Sequence, residues 1–458
     1  MTAPTVEKPI TPMAEYNGFP VVGVLPDLFR QKPLDFMRNI SREHGDLVKV
    51  MVGPKAIYVV SNPDYLQRML RDNYRNYRKP DLLYKAAATV IGNGLVLSEG
   101  DFWLRQRRMM QPYFHRKYLS LLTETMTHTI SGVLETWEAF AENGKVVDMG
   151  QEMSRITMGI ITNTMFGTDT LSAEDMNTIS RDMPFLIDHA TLRGYMPFIP
   201  DWLPLLGDGE FEAKLQNIRD IVNRFIDLKR NEKGESADLI SMLLHAVDEE
   251  TNEQMTNEQL FDEAMTIFIA GFETTSTVLT WLWHVLNENP EIETKLREEI
   301  DRVLGEKTPD IEALKQLEYS RMVFQETMRL YPPVPLLPRV TVEADQLGDY
   351  EIPANATLVL FFYGTHCNPN VWEDPDKFVP ERFSAEQIKG RSQFAFVPFS
   401  AGPRKCLGDE FAMMEGVLAM TMMLQNYQVN LVPEHKVEPK LAITLRPANG
   451  IKATIQKL

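Results

Sequence analysis

Cysteine is almost absent: Cys367 and Cys406 are the two in 458 residues. Two thiols cannot build a disulfide framework or a four-cysteine metal site, and their scarcity favours a reducing, cytoplasmic compartment. Positive charge is also short. Against 64 Asp and Glu stand 47 Lys and Arg, a formal net charge of -17, whereas a nucleic-acid binder needs the opposite surplus to neutralise phosphates. No apolar run approaches the roughly 18 residues of a membrane span. Met1 to Ile10 holds Glu7 and Lys8 among prolines, unlike the apolar core of a secretory signal. These absences point to a soluble cytoplasmic protein with no nucleic-acid partner and no membrane span, read here as a monomer. With 44% hydrophobic and 24% charged residues the chain is globular. It is long enough for a large core, and its 25 Met suit adaptable apolar packing.

No repeat, low-complexity tract or long linker divides the sequence, so residues 1–458 are read as a single domain. A Pro-rich lead-in of about 40 residues precedes a β-rich edge over 41–100, a helical body over 101–330 and a closing part over 331–458. Leu47 to Met51 and Ala56 to Val60 read as a hairpin across Gly53-Pro54-Lys55. Asn62-Pro63 then opens a helix through Leu70. Strands are expected again near Tyr350 to Phe361, Leu441 to Leu445 and Ile451 to Ile455.

One helix stands apart. Thr256 and Gln259 form a capping box, and the apolar period continues to about Asn287 before Pro290 ends it. In its middle lie Ala270, Gly271, Phe272, Glu273, Thr274 and Thr275, which interrupt an apolar face with a glycine, an acid and two hydroxyls. A plain packing account remains open: glycine admits a neighbouring helix, and a hydroxyl bonds back to its own backbone.

The strongest chemical signal is Phe399-Ser400-Ala401-Gly402-Pro403-Arg404-Lys405-Cys406-Leu407-Gly408, a Gly-rich loop that delivers one cysteine to an apolar helix over Glu410 to Leu424. A helix N-terminus with Arg404 and Lys405 beside it favours the thiolate. With no His or acid at ligand spacing the site is not a closed zinc centre. A lone thiolate does suffice as the protein ligand of a haem iron. Cys367, in His366-Cys367-Asn368-Pro369, reads as an inert buried thiol.

The loop matches the haem-binding signature of the cytochrome P450 superfamily, aromatic-x-x-Gly-x-Arg-x-Cys-x-Gly, and the resemblance extends over nearly the whole chain. It implies a mainly α fold with small β-sheets, haem lying between the long central helix and the helix after the cysteine. Cys406 would be the iron ligand, with Phe399, Gly402, Arg404 and Gly408 in its loop. Ala270-Gly271-Phe272-Glu273-Thr274 resembles the family's oxygen-binding groove. Ala270 and Gly271 would leave room for dioxygen, and Glu273 and Thr274 would relay the protons its cleavage consumes. Glu326-Thr327-Met328-Arg329 and Pro380-Glu381-Arg382-Phe383 resemble the motifs of a buried Glu326–Arg329–Arg382 cluster with a structural role. Trp103 and Arg107, with Arg339 and Arg404, would meet the haem propionates. Arg105 and Arg108 are read as solvated.

By the same resemblance, a lipophilic substrate would contact Leu82, Leu83, Phe185, Leu186, Phe268, Val334, Leu336 and Leu337. Met183 to Leu206 would form an apolar lid, in which Arg193 and His189 are read as solvated rather than as a carboxylate anchor. The implied activity is monooxygenation by heme b (iron protoporphyrin IX). Electrons would come from NAD(P)H through a ferredoxin or flavodoxin and its reductase, since the sequence shows no flavin or iron–sulfur region. Arg105, Arg108, Arg116, Lys117, Arg391 and Lys405 would form the basic docking face. A peroxide-using peroxygenase or isomerase is the alternative within the family and a haem-thiolate sensor a non-enzymatic one. The Glu273–Thr274 pair argues against both.

Overall fold

A computed structural model describes residues 13–167, 172–195, 203, 205–231 and 238–458. They form two contact units. The first comprises Met1–Pro80, Val334–Lys377 and Lys389–Cys406. It is built on a six-stranded sheet in the order Ala14–Tyr16, Leu47–Val52, Lys55–Val60, Thr357–Leu360, Leu337–Thr341, Tyr77–Arg78. The expected hairpin is present, Leu47–Val52 running antiparallel to Lys55–Val60. Its turn uses Gly53 at φ +56°, a conformation that costs glycine little. Val60, Leu66, Leu358 and Leu360 are fully buried beneath this sheet.

The described part of the lead-in contains two helices. Helices Leu25–Arg30 and Pro33–His44 both carry proline in the first turn, where no amide hydrogen bond is lost and φ is already helical. Asn62 caps the next helix, Pro63–Gln67, by accepting from the amides of Asp64 and Tyr65 at 2.8 and 3.4 Å. The helix then widens into a π-turn over Arg68–Asp72 that buries Met69 and Leu70.

The second unit comprises Asp81–Pro333, Phe378–Ile388 and Leu407–Leu458. Its axis is the 32-residue helix Asn257–Glu288, and both bonds of the Thr256–Gln259 capping box form, at 2.9 and 3.2 Å. Helix Met149–Phe166 packs along it, and Glu318–Leu330 and Asp409–Asn426 pack on it as well. Close approach is built in: a Cβ at Gly271 would lie 2.7 Å from Ile161, and one at Gly416 would lie 2.1 Å from Phe324.

A three-stranded sheet, Tyr427–Leu431, Lys452–Lys457 and Val147–Asp148, closes this unit. The strand expected over Leu441 to Leu445 is instead the hairpin Pro439–Leu441 and Leu445–Pro447, with Ala442, Ile443 and Thr444 as its turn. The reversal follows from how Leu445 is held. Its amide donates to Pro333 O at 3.0 Å and its carbonyl accepts Trp281 Nε1–H at 2.7 Å, so its backbone bonds run to the helical body.

Candidate active site

In the first unit, the segment before Cys406 folds on itself. The Cys406 amide donates to Phe399 O at 2.8 Å and the Lys405 amide to Gly402 O at 3.1 Å. Gly402 has φ +67°, and a Cβ there would stand 2.0 Å from Leu70 O, so the turn requires glycine. Ser400 accepts the left-handed region at φ +58°. Cys406 is exposed, whereas Cys367 is buried. Next to this segment, buried His366 accepts the Val397 amide through Nε2 at 3.0 Å. Phe399 and Arg404 are half-buried. Arg339, on Leu337–Thr341, is buried and donates to Pro338 O at 2.8 Å.

The second unit carries the acid–hydroxyl groove. Thr274 Oγ1 donates to Ala270 O at 2.8 Å, and Ser276 and Thr277 donate to Glu273 O at 3.1 and 2.8 Å. These three hydroxyls bond back to carbonyls of their own helix, which stays regular through this stretch. Ala270 is exposed. A Cβ at Gly271 would meet the Ile161 side chain at 2.7 Å, so this glycine admits the neighbouring helix.

Glu273 is held by residues that sequence inspection did not single out. Its Oε1 accepts from Arg446 Nε and from Thr444 Oγ1, both at 2.7 Å. Burial pushes the Glu273 carboxyl above its ordinary pKa, while Arg446 and Thr444 pull it back. Nothing local in the sequence links residue 446 to residue 273.

Among the other buried acids of this unit, Glu263 and Glu415 stand out. Glu263 accepts from the Leu95 amide at 2.9 Å and from Gln106 Nε2 at 3.3 Å, and burial pushes its pKa up to about 7. Glu415 is fully buried, neither oxygen has a hydrogen-bond partner among the described residues, and burial holds its pKa well above the ordinary value. An acid inside the apolar run Phe411 to Leu424 was the signal available for it.

Glu326, Arg329 and Arg382 come together. Arg329 Nε and Nη2 donate to the two Glu326 oxygens at 2.7 Å each, the Val379 amide donates to Oε1 at 2.9 Å, and Arg382 Nε lies 3.4 Å from it.

Trp103 is buried on helix Gly100–Met110, and Arg107 is half-buried one turn further along. Arg105 and Arg108 are not solvated charges. Arg105 pairs with Glu253. Arg108 forks onto buried Asp248 at 2.9 and 2.8 Å, holding that carboxyl down at about 2, and reaches Glu250 at 2.7 Å. The basic docking face therefore loses two members to local acids. Arg391 packs over the Trp372 ring, Lys117 and Lys405 are exposed, and the Arg116 side chain lies outside the described residues.

Among the apolar candidates, Leu186 and Phe268 are buried, Phe268 against Phe272. Phe185 stacks on His189 with Lys214 over its other neighbourhood at 5.3 Å. His189 and Arg193 are engaged by Asp208 at 3.2 and 2.5 Å and so are not solvated. Val334, Leu336 and Leu337 are half-buried. The side chains of Leu82, Leu83 and Tyr195, and all of Met196, Phe198, Ile199 and Trp202, lie outside the described residues.

The donor set suits haem. Among the described residues no group of three or more His, Cys, Asp or Glu is arranged to hold a metal ion. An exposed single cysteine on a glycine-dependent turn fits a metal whose other ligands come from a macrocycle.

A family profile described as cytochrome P450 matches residues 13–455. Cyclooctatin synthase of Streptomyces melanosporofaciens is 31% identical over 94% of this chain and 92% of its own. Cyclooctat-9-en-7-ol 5-monooxygenase of the same organism is 31% identical over 93% and 91%. The crystal structure of the cytochrome P450DA heme domain superposes with a TM-score of 0.86 over 98% of both chains at 22% identity, which establishes the fold. The chain belongs to the cytochrome P450 family, the haem-iron monooxygenases. Among the described residues no helix is long and apolar enough to cross a membrane.

Proposed function

We propose that this protein is a haem-thiolate monooxygenase that hydroxylates or epoxidises a lipophilic, ring-containing small molecule of the terpenoid class, acting as one cytoplasmic domain. What carries the reading is the joint presence of an exposed Cys406 on its glycine-dependent turn and the Glu273–Thr274 pair on the long helix. Cys406 would hold the iron of heme b as its thiolate ligand, with Phe399, Gly402 and Gly408 shaping its loop, and Trp103, Arg107, Arg339 and Arg404 would offer donors to the propionates. Bound haem supplies the redox activation of dioxygen, and a thiolate ligand favours O–O cleavage.

The chain's own residues then manage protons and geometry. One oxygen atom enters the substrate. The other leaves as water with two electrons and two protons, and the protons pass by way of Glu273 and the Thr274 hydroxyl. Ala270 keeps the adjoining face open. Glu326, Arg329 and Arg382 hold the surrounding fold and do not react. Phe185, Leu186, Phe268, Val334, Leu336 and Leu337, with Leu82 and Leu83, supply apolar contacts. The substrate class is supported by the names of the relatives, one of which is a cyclooctat-9-en-7-ol 5-monooxygenase. Electrons come from NAD(P)H through a separate ferredoxin or flavodoxin with its reductase.

Turnover under oxygen-18 gas with a surrogate ferredoxin system tests the reaction. A cyclic diterpene that displaces water from ferric haem should gain one labelled oxygen per product molecule, with NAD(P)H required. Label drawn from added peroxide, with no need for a donor, would establish the peroxygenase reading instead.

A further inference from the structure

Glu273 is held from across the chain. The hairpin Pro439–Leu441 and Leu445–Pro447 is fastened to the helical body by the backbone of Leu445, which donates to Pro333 O and accepts from Trp281 on the long helix. Trp281 is fully buried and stacked on Tyr331 at 4.0 Å, so the anchor is rigid. Arg446 follows immediately. Its Nε is shared between Glu273 Oε1 at 2.7 Å and Thr444 Oγ1 at 3.0 Å, and Thr444 itself donates to the same Glu273 oxygen at 2.7 Å. The three groups form a closed triangle on Oε1, and neither contact uses Oε2.

We propose that Arg446, locked by Thr444, is the positioning residue of the Glu273 carboxylate: it fixes Oε1 on the C-terminal hairpin and leaves Oε2 as the oxygen that exchanges protons. This rests on the reading of Glu273 as a proton-handling acid. Anchoring one oxygen sets the rotation of the carboxyl, and a guanidinium at hydrogen-bond distance keeps a buried acid ionised. The charged groups that face Glu273 are Arg446 from the hairpin and Asp188 from helix Ala173–Tyr195; Asp188 lies 3.7 Å from Arg446 Nη1 and is largely exposed. Burial and Asp188 favour the protonated acid; Arg446 and Thr444 oppose them. Without Arg446 the balance moves toward protonation.

The test is a titration of Glu273 itself by infrared difference spectroscopy on haem-loaded ferric protein, the carboxyl band being identified by its loss in Glu273→Gln. In Arg446→Gln the midpoint should rise by about 1 to 3 pH units, the range for loss of a close opposite charge. Arg446→Lys should restore most of the difference, and Thr444→Val should raise the midpoint by less. The acid limb of the product-per-electron profile should move upward with the midpoint. If Arg446→Gln fails to load haem, Thr444→Val carries the same test. A midpoint that stays within about 0.3 pH unit of wild type in the haem-loaded variants would overturn the assignment. Full coupling in Glu273→Gln would instead refute the proton-handling role of Glu273, while the infrared midpoint would still decide what Arg446 does.

Discussion

Arg329 grips Glu326 with both prongs of its guanidinium, each 2.7 Å from a carboxylate oxygen, and both side chains are wholly withdrawn from solvent. The Val379 amide donates to the acid at 2.9 Å and Arg382 places a positive charge 3.4 Å from it, so the pair joins helix Glu318–Leu330 to the turn Pro380–Phe383. Removing one partner strands a buried charge, typically at a cost of about 3 to 5 kcal/mol. Glu326→Ala and Arg329→Ala should therefore lower the unfolding midpoint sharply and yield little haem-loaded protein. Normal stability and haem content in both would contradict the structural role.

Glu263 makes stability depend on pH. Its folded pKa is raised to about 7 from 4.5, chiefly by burial. Its contribution is fully present below the unfolded value and is lost as pH rises through the folded one. At about 1.4 kcal/mol per pH unit within that window, the loss approaches a few kcal/mol. Glu263→Gln has no proton to lose, so from about pH 5 to pH 8 the wild type should weaken relative to the variant. Urea midpoints across that range check the sign, and parallel curves would contradict it.

The two glycines flanking the cysteine should answer differently to a methyl group. Gly402 combines φ +67° with a Cβ position 2.0 Å from a backbone oxygen. Gly408 has φ -93° and nothing nearer than the Phe114 ring at 3.9 Å. Gly402→Ala should depress both thermal midpoint and haem occupancy. Gly408→Ala should leave the midpoint within a degree or two, because an ordinary φ accepts alanine. Equal losses measured by calorimetry would contradict this account of the loop.

Thr274→Ala should still bind substrate and consume reducing equivalents while forming less product and releasing more hydrogen peroxide. Its hydroxyl donates to Ala270 O, which leaves the oxygen's lone pairs to accept from a proton chain. The measurement is the ratio of product to electrons consumed, taken over several substrates. Undiminished coupling in this variant and in Glu273→Gln would show that protons travel elsewhere.

The sequence was most legible where local chemistry decides structure. The capping box at Thr256 and Gln259, the hairpin at Gly53 and the cap at Asn62 each depend on residues only a few positions apart. The Glu326–Arg329 pair is also local, but its spacing alone suits a solvated face, and its burial with Arg382 was expected from the family resemblance. What escaped was contact between distant segments. Arg446 reaches Glu273 across 173 residues of chain, and Arg108 meets Asp248 across 140. Arg108 stands among other charges that look like solvated surface in one dimension, and nothing beside Arg446 names its partner. Gly271 had two readings open, and only the position of Ile161 chose between them. The two helices of the lead-in were not read from its prolines, because composition does not say whether a proline begins a helix or prevents one.

The central claim is that Cys406 holds haem iron as a thiolate. Carbon monoxide added to the reduced protein reads this directly, because a thiolate ligand shifts the Soret band strongly to the red. The wild type should show that band, Cys367→Ala should retain it, and Cys406→Ala should lose it. A full red-shifted band in Cys406→Ala, or its absence from haem-loaded wild type, would contradict the account.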